Sequence, residues 1–226
     1  MVGAGFAGAA LARTLAEAGF SVTVVDKRNH IGGNAYDEVN GHGERIHRYG
    51  PHLLHGPQGS EAVLWLSRFT AWTPYEHRVR ALLGDGRTTP LPVNRTTLED
   101  VYGLSLDNDA AAEKLLNEKR QRIDAPQNSD ELFLTNVGEQ LADLFFRPYT
   151  QKMWGTPARN LEIGIGARLP VRVNRDDRYF TDTFQALPLD GYTKMFERIF
   201  SHENINVTLN TTFEPSMEQD LSLIHI

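Results

Sequence analysis

Three glycines at positions 3, 5 and 8 constrain this chain more than any other feature. The string Gly3-Ala-Gly5-Phe-Ala-Gly8 fits G-x-G-x-x-G and is followed by an Ala/Leu-rich stretch, Gly19 and a β-branched run that ends at Asp26. Glycines at this spacing permit a tight strand-to-helix turn, close approach of backbone to a pyrophosphate, and close helix–strand packing. The order predicts a βαβ start, with a helix over Ala9 to Ala18, Gly19 at its C′ position and a strand over Ser21 to Val25. Free N–H groups and the positive end of that helix would receive the anion without a basic side chain. The motif alone is weak. Asp26 strengthens it, because a carboxylate at the end of the second strand lies where it accepts hydrogen bonds from an adenosine ribose. The continuation Asp26-Lys27-Arg28-Asn29-His30-Ile31-Gly32-Gly33-Asn34 points to FAD rather than NAD, since a double Gly lets backbone lie along a long cofactor. A plain turn is the alternative reading of Gly-Gly-Asn.

With 226 residues the chain can form one large domain or two small ones. It has no Cys, which excludes a disulfide framework and thiolate chemistry and makes the cytoplasm the default location. A formal net charge of −6 argues against bulk binding of nucleic acid or an anionic membrane, so an anionic ligand would be held by local cations. Neither a membrane anchor nor a signal peptide is indicated.

Farther along, residues 29–60 are rich in Gly, His and Asn with weak periodicity, and are expected to form loops over a ligand. Helices are expected over Asn108 to Arg122 and over Ser129 to Phe146, the second opening on Ser129 as N-cap and ending before Pro148. Both interrupt the α/β pattern. The expected fold class is therefore α/β: a Rossmann-like FAD-binding domain with an inserted helical subdomain and part of a further mixed-sheet domain, truncated at both ends. The expected divisions are 1–95 for the FAD region, 96–155 for the helices, and 156–220 for substrate-domain strands, a loop and the return to the FAD domain.

Two clusters carry candidate chemistry. His47, His52 and His55 fall within one Gly/Pro-containing segment. A metal site is rejected, because neither Cys nor a His-Glu-x-x-His arrangement accompanies them. Satisfied loop histidines and histidines lining a polar ligand remain equal readings. The run Phe145-Phe146-Arg147-Pro148-Tyr149-Thr150-Gln151-Lys152-Met153-Trp154-Gly155, with Arg168, Arg172, Arg178 and Tyr179 beyond it, suits a platform for a flat base and bidentate grips on phosphate. Ordinary core packing is the alternative for the aromatics, and a surface position for Arg172.

These strings, together with Tyr49-Gly-Pro-His52, Leu91-Pro-Val-Asn94, Arg168-Leu-Pro-Val-Arg172 and Gly191-Tyr-Thr-Lys194, occur in an order that resembles the UDP-galactopyranose mutases of bacteria, from Val2 to about Glu214. The resemblance implies an isomerase that interconverts UDP-galactopyranose and UDP-galactofuranose in cell-wall polysaccharide biosynthesis, a homodimer when full length. It requires FAD in the reduced form, whose N5 attacks the anomeric carbon while UDP leaves, and the flavin–sugar adduct permits ring opening and reclosure. By matching strings, Gly3, Gly5, Phe6, Gly8, Asp26, Lys27, Arg28, Gly33, Asn34 and His52 would lie along FAD, with His55 beside His52 in a flexible catalytic loop. Phe146 and Tyr149 would hold uracil, with Thr150 and Trp154 nearby, and Asn94 would face the substrate. Arg168 would close on the diphosphate, which Tyr179 would also touch. Arg172 receives no role.

Two departures qualify the resemblance. Only Met1 and Val2 precede Gly3, so the first strand is expected to be a stub too short to pair normally. Leu221-Ser-Leu-Ile-His-Ile226 resembles the translation of a transposon end used as a sequencing adapter, and the family continues beyond it with further FAD- and diphosphate-contacting residues. The chain as written is accordingly expected to hold FAD poorly and to lack turnover. Competing readings are an FAD-dependent oxidoreductase of the amine-oxidase-like class and a non-catalytic nucleotide-binding module.

Overall fold

A computed structural model describes residues 1–220, so the adapter-like segment 221–226 lies outside the described residues. The described residues divide into two compact units, residues 1–75 with 182–220, and residues 76–181.

In the first unit, helix α1 (Phe6–Glu17) follows the glycine turn and strand β1 (Val22–Val25) follows α1, with Gly19 at φ +93° turning the chain between them. The helix begins three residues earlier than Ala9. Its inner face is Gly8, Ala9, Ala12 and Ala16, small residues that let it lie close against the core. The two-residue stub does pair: Val2 bridges Val25 in parallel, the Val25 N–H donates to Met1 O (3.0 Å) and the Gly3 N–H to Val25 O (2.8 Å). Residues 29–60, expected as loops, contain a short 3-10 turn (Gly33–Ala35), an antiparallel pair β2 (Asp37–Val39) and β3 (Arg45–His47), and β4 (Leu54–Gly56). Each strand has three residues, too few for a two-residue periodicity to stand out. Helix α2 (Glu61–Leu66) and β5 (Trp72–Pro74) complete this stretch.

The second unit opens on a hairpin, β6 (Val79–Leu82) and β7 (Thr88–Leu91). Helices α3 (Arg95–Tyr102), α4 (Asp109–Lys119) and α5 (Ser129–Val137) each start on an asparagine cap: Asn94, Asn108 and Asn128 accept from Thr97, Ala111 and Glu131 N–H groups. Ser129 is therefore not the cap. Its hydroxyl instead donates to Glu162 O (2.6 Å) and accepts from the Gly166 N–H (3.0 Å). The expected single helix to Phe146 breaks at Gly138 and resumes as α6 (Glu139–Leu141), a π-helical turn (Ala142–Phe146) and α7 (Arg147–Trp154). Pro148 does not stop it. The Arg147 N–H already reaches five residues back to Ala142 O, and Pro148 falls in the first turn of α7, where its missing N–H is tolerated. Leu98, Leu116, Phe133, Val137, Leu141 and Phe146 form this unit's core, and a short α8 (Ile163–Gly166) packs on α5.

The chain then returns to the first unit. Strand β8 (Phe184–Pro188) pairs antiparallel with β4 and β5, helix α9 (Tyr192–Phe200) packs on α1, and β9 (Ile205–Thr208) runs parallel beside β1 in the register Val22↔Ile205 to Val25↔Thr208. Val24, Tyr192, Met195, Phe196 and Ile199 are buried between them. Among the described residues no helix is long and apolar enough to cross a membrane.

Asp37 fixes where α9 starts. Its carboxylate, 1% exposed, accepts from the Tyr192 N–H (2.7 Å) and the Thr193 N–H (2.9 Å), and the Thr193 hydroxyl donates to Asp37 O (2.6 Å). This is a helix cap supplied from 155 residues away, and the Gly191-Tyr-Thr string is its other half. Asp37→Ala leaves two buried donors without an acceptor and should lower the stability of the first unit by about 2 to 3 kcal/mol. Asp37→Asn, which keeps one acceptor oxygen, should lower it by less. Urea denaturation of both variants measures the order.

Candidate functional site

In the first unit a cavity of about 560 Å³ lies at the glycine turn, lined by Gly3, Gly5, Asp26, Lys27, Arg28, Gly33 and Asn34 among others. Two backbone approaches shape it. A Cβ on Gly8 would lie 1.9 Å from Gly3 O, so only glycine lets α1 leave the turn at this angle. A Cβ on Gly33 would lie 3.0 Å from the Gly5 Cα, and Gly33 has φ +58°. The first turn of α1 carries no acidic residue and no side-chain cap, so its N–H groups are left for an anion. A wall of bare backbone beside these donors fits the pyrophosphate of a dinucleotide such as FAD.

Asp26 is placed where the sequence reading puts it, with an added duty. Its Oδ2 accepts from the Ala4 N–H (2.7 Å) and its Oδ1 from the Arg28 N–H (2.9 Å), which ties the glycine turn to the end of β1. Each oxygen keeps a further lone pair for a ribose hydroxyl. Arg28 donates to Asn34 Oδ1 (2.8 Å) and lies over the Tyr49 ring at 4.8 Å, while the Tyr49 hydroxyl meets His30 Nε2 at 2.8 Å. His30 in turn stacks on Tyr36 at 3.9 Å. Thr211, Thr212 and Phe213 also line the cavity. The sequence reading missed them, because the link is long-range: the Thr211 N–H donates to Asp26 O (2.9 Å) and the Asn210 N–H to Arg28 O (2.9 Å).

Other expected cofactor residues lie elsewhere. Phe6 turns toward α9, with its ring 4.9 Å from Phe196 and 5.9 Å from Tyr192, because the helix it opens must cover that core. Gly8 acts from behind the turn. The His52 N–H donates to His47 Nδ1 (3.2 Å), and burial pushes the His47 imidazole below its ordinary value. His55 sits in β4 with Nδ1 2.8 Å from Asp182 Oδ2.

The second unit has its own cavity, of about 260 Å³, lined almost wholly by apolar side chains. Phe145, Phe146 and Tyr149 enter it from the π turn and α7, Leu91 to Val93 from the end of β7, and Leu169, Pro170 and Tyr179 from the following segment. Phe146 is buried on Phe133, with rings 5.0 Å apart, whereas Tyr149 is 46% exposed at the rim. A buried aromatic floor and a half-exposed aromatic rim suit a flat ring. His77, unsuspected from the sequence, is the added polar group: it faces Tyr179 at 5.7 Å, accepts the Tyr179 N–H on its carbonyl (2.7 Å), and its imidazole is held below its ordinary value by burial. Tyr179 is itself pinned. Arg172 donates to Asp176 O (3.0 Å) and to Arg178 O, and the Arg178 guanidinium and N–H hold the Asp176 carboxyl well below the usual carboxylate range. Arg172 is thus a loop-organising residue.

Four expected substrate residues are not among those lining the cavity. Asn94 is fully buried as the N-cap of α3, in a capping box with Thr97, and its Nδ2 donates to Asp176 O (3.4 Å). Thr150 is buried at 3% exposure, on the inner side of α7. Trp154 is 48% exposed at the end of α7. Arg168 is exposed on the turn after α8, immediately before the cavity-lining Leu169.

Comparison with known proteins agrees with both units. A family model described as UDP-galactopyranose mutase matches residues 144–225, and one described as an NAD(P)-binding Rossmann-like domain matches residues 1–68. A probable UDP-galactopyranose mutase of Klebsiella pneumoniae is 38% identical over 97% of the chain and 57% of the relative. A dTDP-fucopyranose mutase of Escherichia coli is 36% identical over 98% of the chain and 58% of the relative. The chain therefore spans somewhat over half the length of these relatives. Among solved structures, a reduced UDP-galactopyranose mutase aligns with TM-score 0.64 and 19% identity, covering 91% of this chain and 47% of that one. A putrescine oxidase aligns with TM-score 0.51 and 17% identity, covering 91% and 49%. The first unit therefore carries a dinucleotide-binding Rossmann-like fold.

Gly8→Ala drives a methyl into Gly3 O and should displace the turn from the end of β1. Dinucleotide retention should fall at least about tenfold, a loss of roughly 1.4 kcal/mol or more. Cofactor absorbance per polypeptide after gel filtration reads the effect.

Proposed function

Because the chain is 38% identical to a probable UDP-galactopyranose mutase and residues 144–225 match the model of that family, we propose that it is the part of such an enzyme that holds FAD in its first unit and the nucleotide of a sugar nucleotide in its second. The observation that carries this reading is the slot made by Phe146, Tyr149 and Tyr179, an apolar aromatic cavity built from the strings that resemble the family's nucleotide site. An oxidase acting on a small amine has no use for a base slot, and the putrescine oxidase likeness concerns the fold alone.

In this reading the α1 N-terminus and the bare glycine backbone receive the pyrophosphate, Asp26 accepts from the ribose, and Arg28, steadied by Asn34 and Tyr49, adds positive charge beside it. Reduced flavin, when bound, supplies a nucleophilic nitrogen to the anomeric carbon of the sugar. The protein's part is to hold and to neutralise. Phe146 and Tyr149 sandwich the base, Tyr179 contributes a hydroxyl toward the diphosphate, and Arg168 meets the negative charge that develops as the diphosphate departs. Arg168 is suited to that by its exposed turn, which leaves it room to close.

One observation keeps a second nucleotide open. A relative named a dTDP-fucopyranose mutase is nearly as similar as the UDP-galactopyranose mutase, and an apolar slot has no means of strongly rejecting a 5-methyl group. The same cavity therefore suits thymine as well as uracil.

The test uses the full-length protein, reduced with dithionite and incubated with UDP-galactofuranose. Formation of UDP-galactopyranose, seen by chromatography and inhibited by UDP, is expected; no conversion with flavin bound and reduced overturns the reading. Stronger inhibition by dTDP than by UDP would assign the thymidine nucleotide. Arg168→Lys should lower kcat by about 10- to 100-fold despite its retained charge, since an ammonium lacks the planar two-point grip on a diphosphate. Turnover near wild type would remove Arg168 from the site.

A further inference from the structure

The π turn and helix α7 together present two faces with opposite characters. Phe145 and Phe146 of the turn and Tyr149 of α7 point into the apolar cavity, while Arg147 faces a separate polar cleft lined by Asp130, Glu139 and Gln151 among others. The Arg147 guanidinium is the most heavily engaged cation of the second unit. Its Nε and Nη2 grip Asp130 in a fork (2.6 and 3.0 Å), and Nη1 donates to Asp143 (2.7 Å) and to Glu139. Asp130 lies in the first turn of α5, so the fork joins the start of α5 to the start of α7 across 17 residues. The carboxylates raise the Arg147 guanidinium above its ordinary value, and it stays charged at every working pH.

This grip sits where α7 most needs one. The preceding turn is π-helical, with the Arg147 N–H bonded to Ala142 O instead of to residue 143, so the regular ladder does not by itself set the rotation of α7. One residue of slip turns a helix by about 100°, which would carry Tyr149 off the cavity rim. Phe146 against Phe133 holds one side of the junction, and the fork to Asp130 holds the other. We propose that Arg147 is a positioning residue for the nucleotide base, setting the rotation of α7 so that Tyr149 forms the rim of the base slot above the Phe146 floor. It does so from the far face, without touching the ligand. The inference rests on the nucleotide reading of that slot.

The experiment measures UDP affinity by calorimetry, flavin per polypeptide, and kcat at saturating substrate, all in the full-length protein. Arg147→Met should weaken UDP binding by about tenfold or more and Arg147→Lys, which keeps one ion pair but not the fork, by about three- to fivefold. Flavin content and saturated kcat should stay within about twofold, since a mis-set base slot costs affinity more than chemistry. Asp130→Asn should reproduce most of the Met effect, and the double variant should add little to either single change. Glu113→Gln removes an ion pair of α4 with Arg120 in the same unit and serves as the control for general loosening, with UDP affinity unchanged. If Arg147→Met does not fold, the Lys and Asp130→Asn variants carry the comparison. Unchanged UDP affinity in the folded variants, or parallel loss of flavin, kcat and affinity, overturns the inference while leaving the nucleotide reading intact. A wild-type protein that binds neither UDP nor dTDP overturns both.

Discussion

The bond from the Ala4 N–H to the Asp26 carboxylate holds together everything the first unit offers to a ligand. Met1 and Val2 tie the near side of the glycine turn to β1 through backbone bonds to Val25. Asp26 adds a side-chain attachment, with one oxygen on the turn at Ala4 and the other on the segment that leads to Gly32 and Gly33. The chain after β9 is tied to the same place through Thr211 and Asn210. Asp26 thus helps gather three backbone segments around one cavity, two through its carboxylate and one through its backbone carbonyl, and a low-dielectric, half-enclosed position makes each of those bonds stronger than it would be in water.

The second unit solves a different problem by dividing labour between the faces of one helix. An apolar slot for a flat ring needs aromatic side chains at fixed angles, yet aromatic contacts are weakly directional. The polar face of α7 supplies the direction that the aromatic face lacks. Bidentate guanidinium–carboxylate geometry tolerates little rotation, and here it lies outside the slot in a half-buried position that water still reaches. The same logic places Tyr179, whose ring is set by Arg172, Asp176 and Arg178 gripping the loop beneath it.

Sequence and structure agree where the rule concerns backbone. Gly3, Gly5, Gly8, Gly33 and Asp26 are legible because a tight turn and a close approach leave few residue types acceptable. The starts of α4 and α5 are legible to within a residue and that of α1 only to within three, and Ser129 shows a further limit: two adjacent residues could cap, and the serine was drawn instead to Glu162 and Gly166, partners no local pattern reveals. Pro148 misleads for a related reason. A proline ends a helix when its N–H is needed, and the π turn before it removes that need. Asn94 has a structural duty that its string does not reveal, since its Oδ1 caps α3 and its Nδ2 donates to Asp176 O. Asp37, His77 and Thr211 to Phe213 were invisible because their partners are distant in the chain, and distance in sequence is what a motif cannot encode.

Helix N-termini give the last step. Among the described residues the first unit has three α-helices, each with a positive end that attracts an anion. At α9 that end is already filled by the carboxylate of Asp37, and at α2 an acidic residue, Glu61, occupies the first turn. At α1 there is neither a side-chain cap nor an acid, and the cavity in front of it is walled by glycine backbone. With Gly5 at the N-cap this helix forgoes roughly a few tenths of a kcal/mol relative to a side-chain cap, a small cost for leaving its first N–H groups open. Two neighbouring helices in the same unit have their ends supplied by the chain itself. The one left open is the one that faces the glycine turn, Asp26 and Arg28, so the empty cap is read most simply as half of a pyrophosphate site whose other half is the ligand.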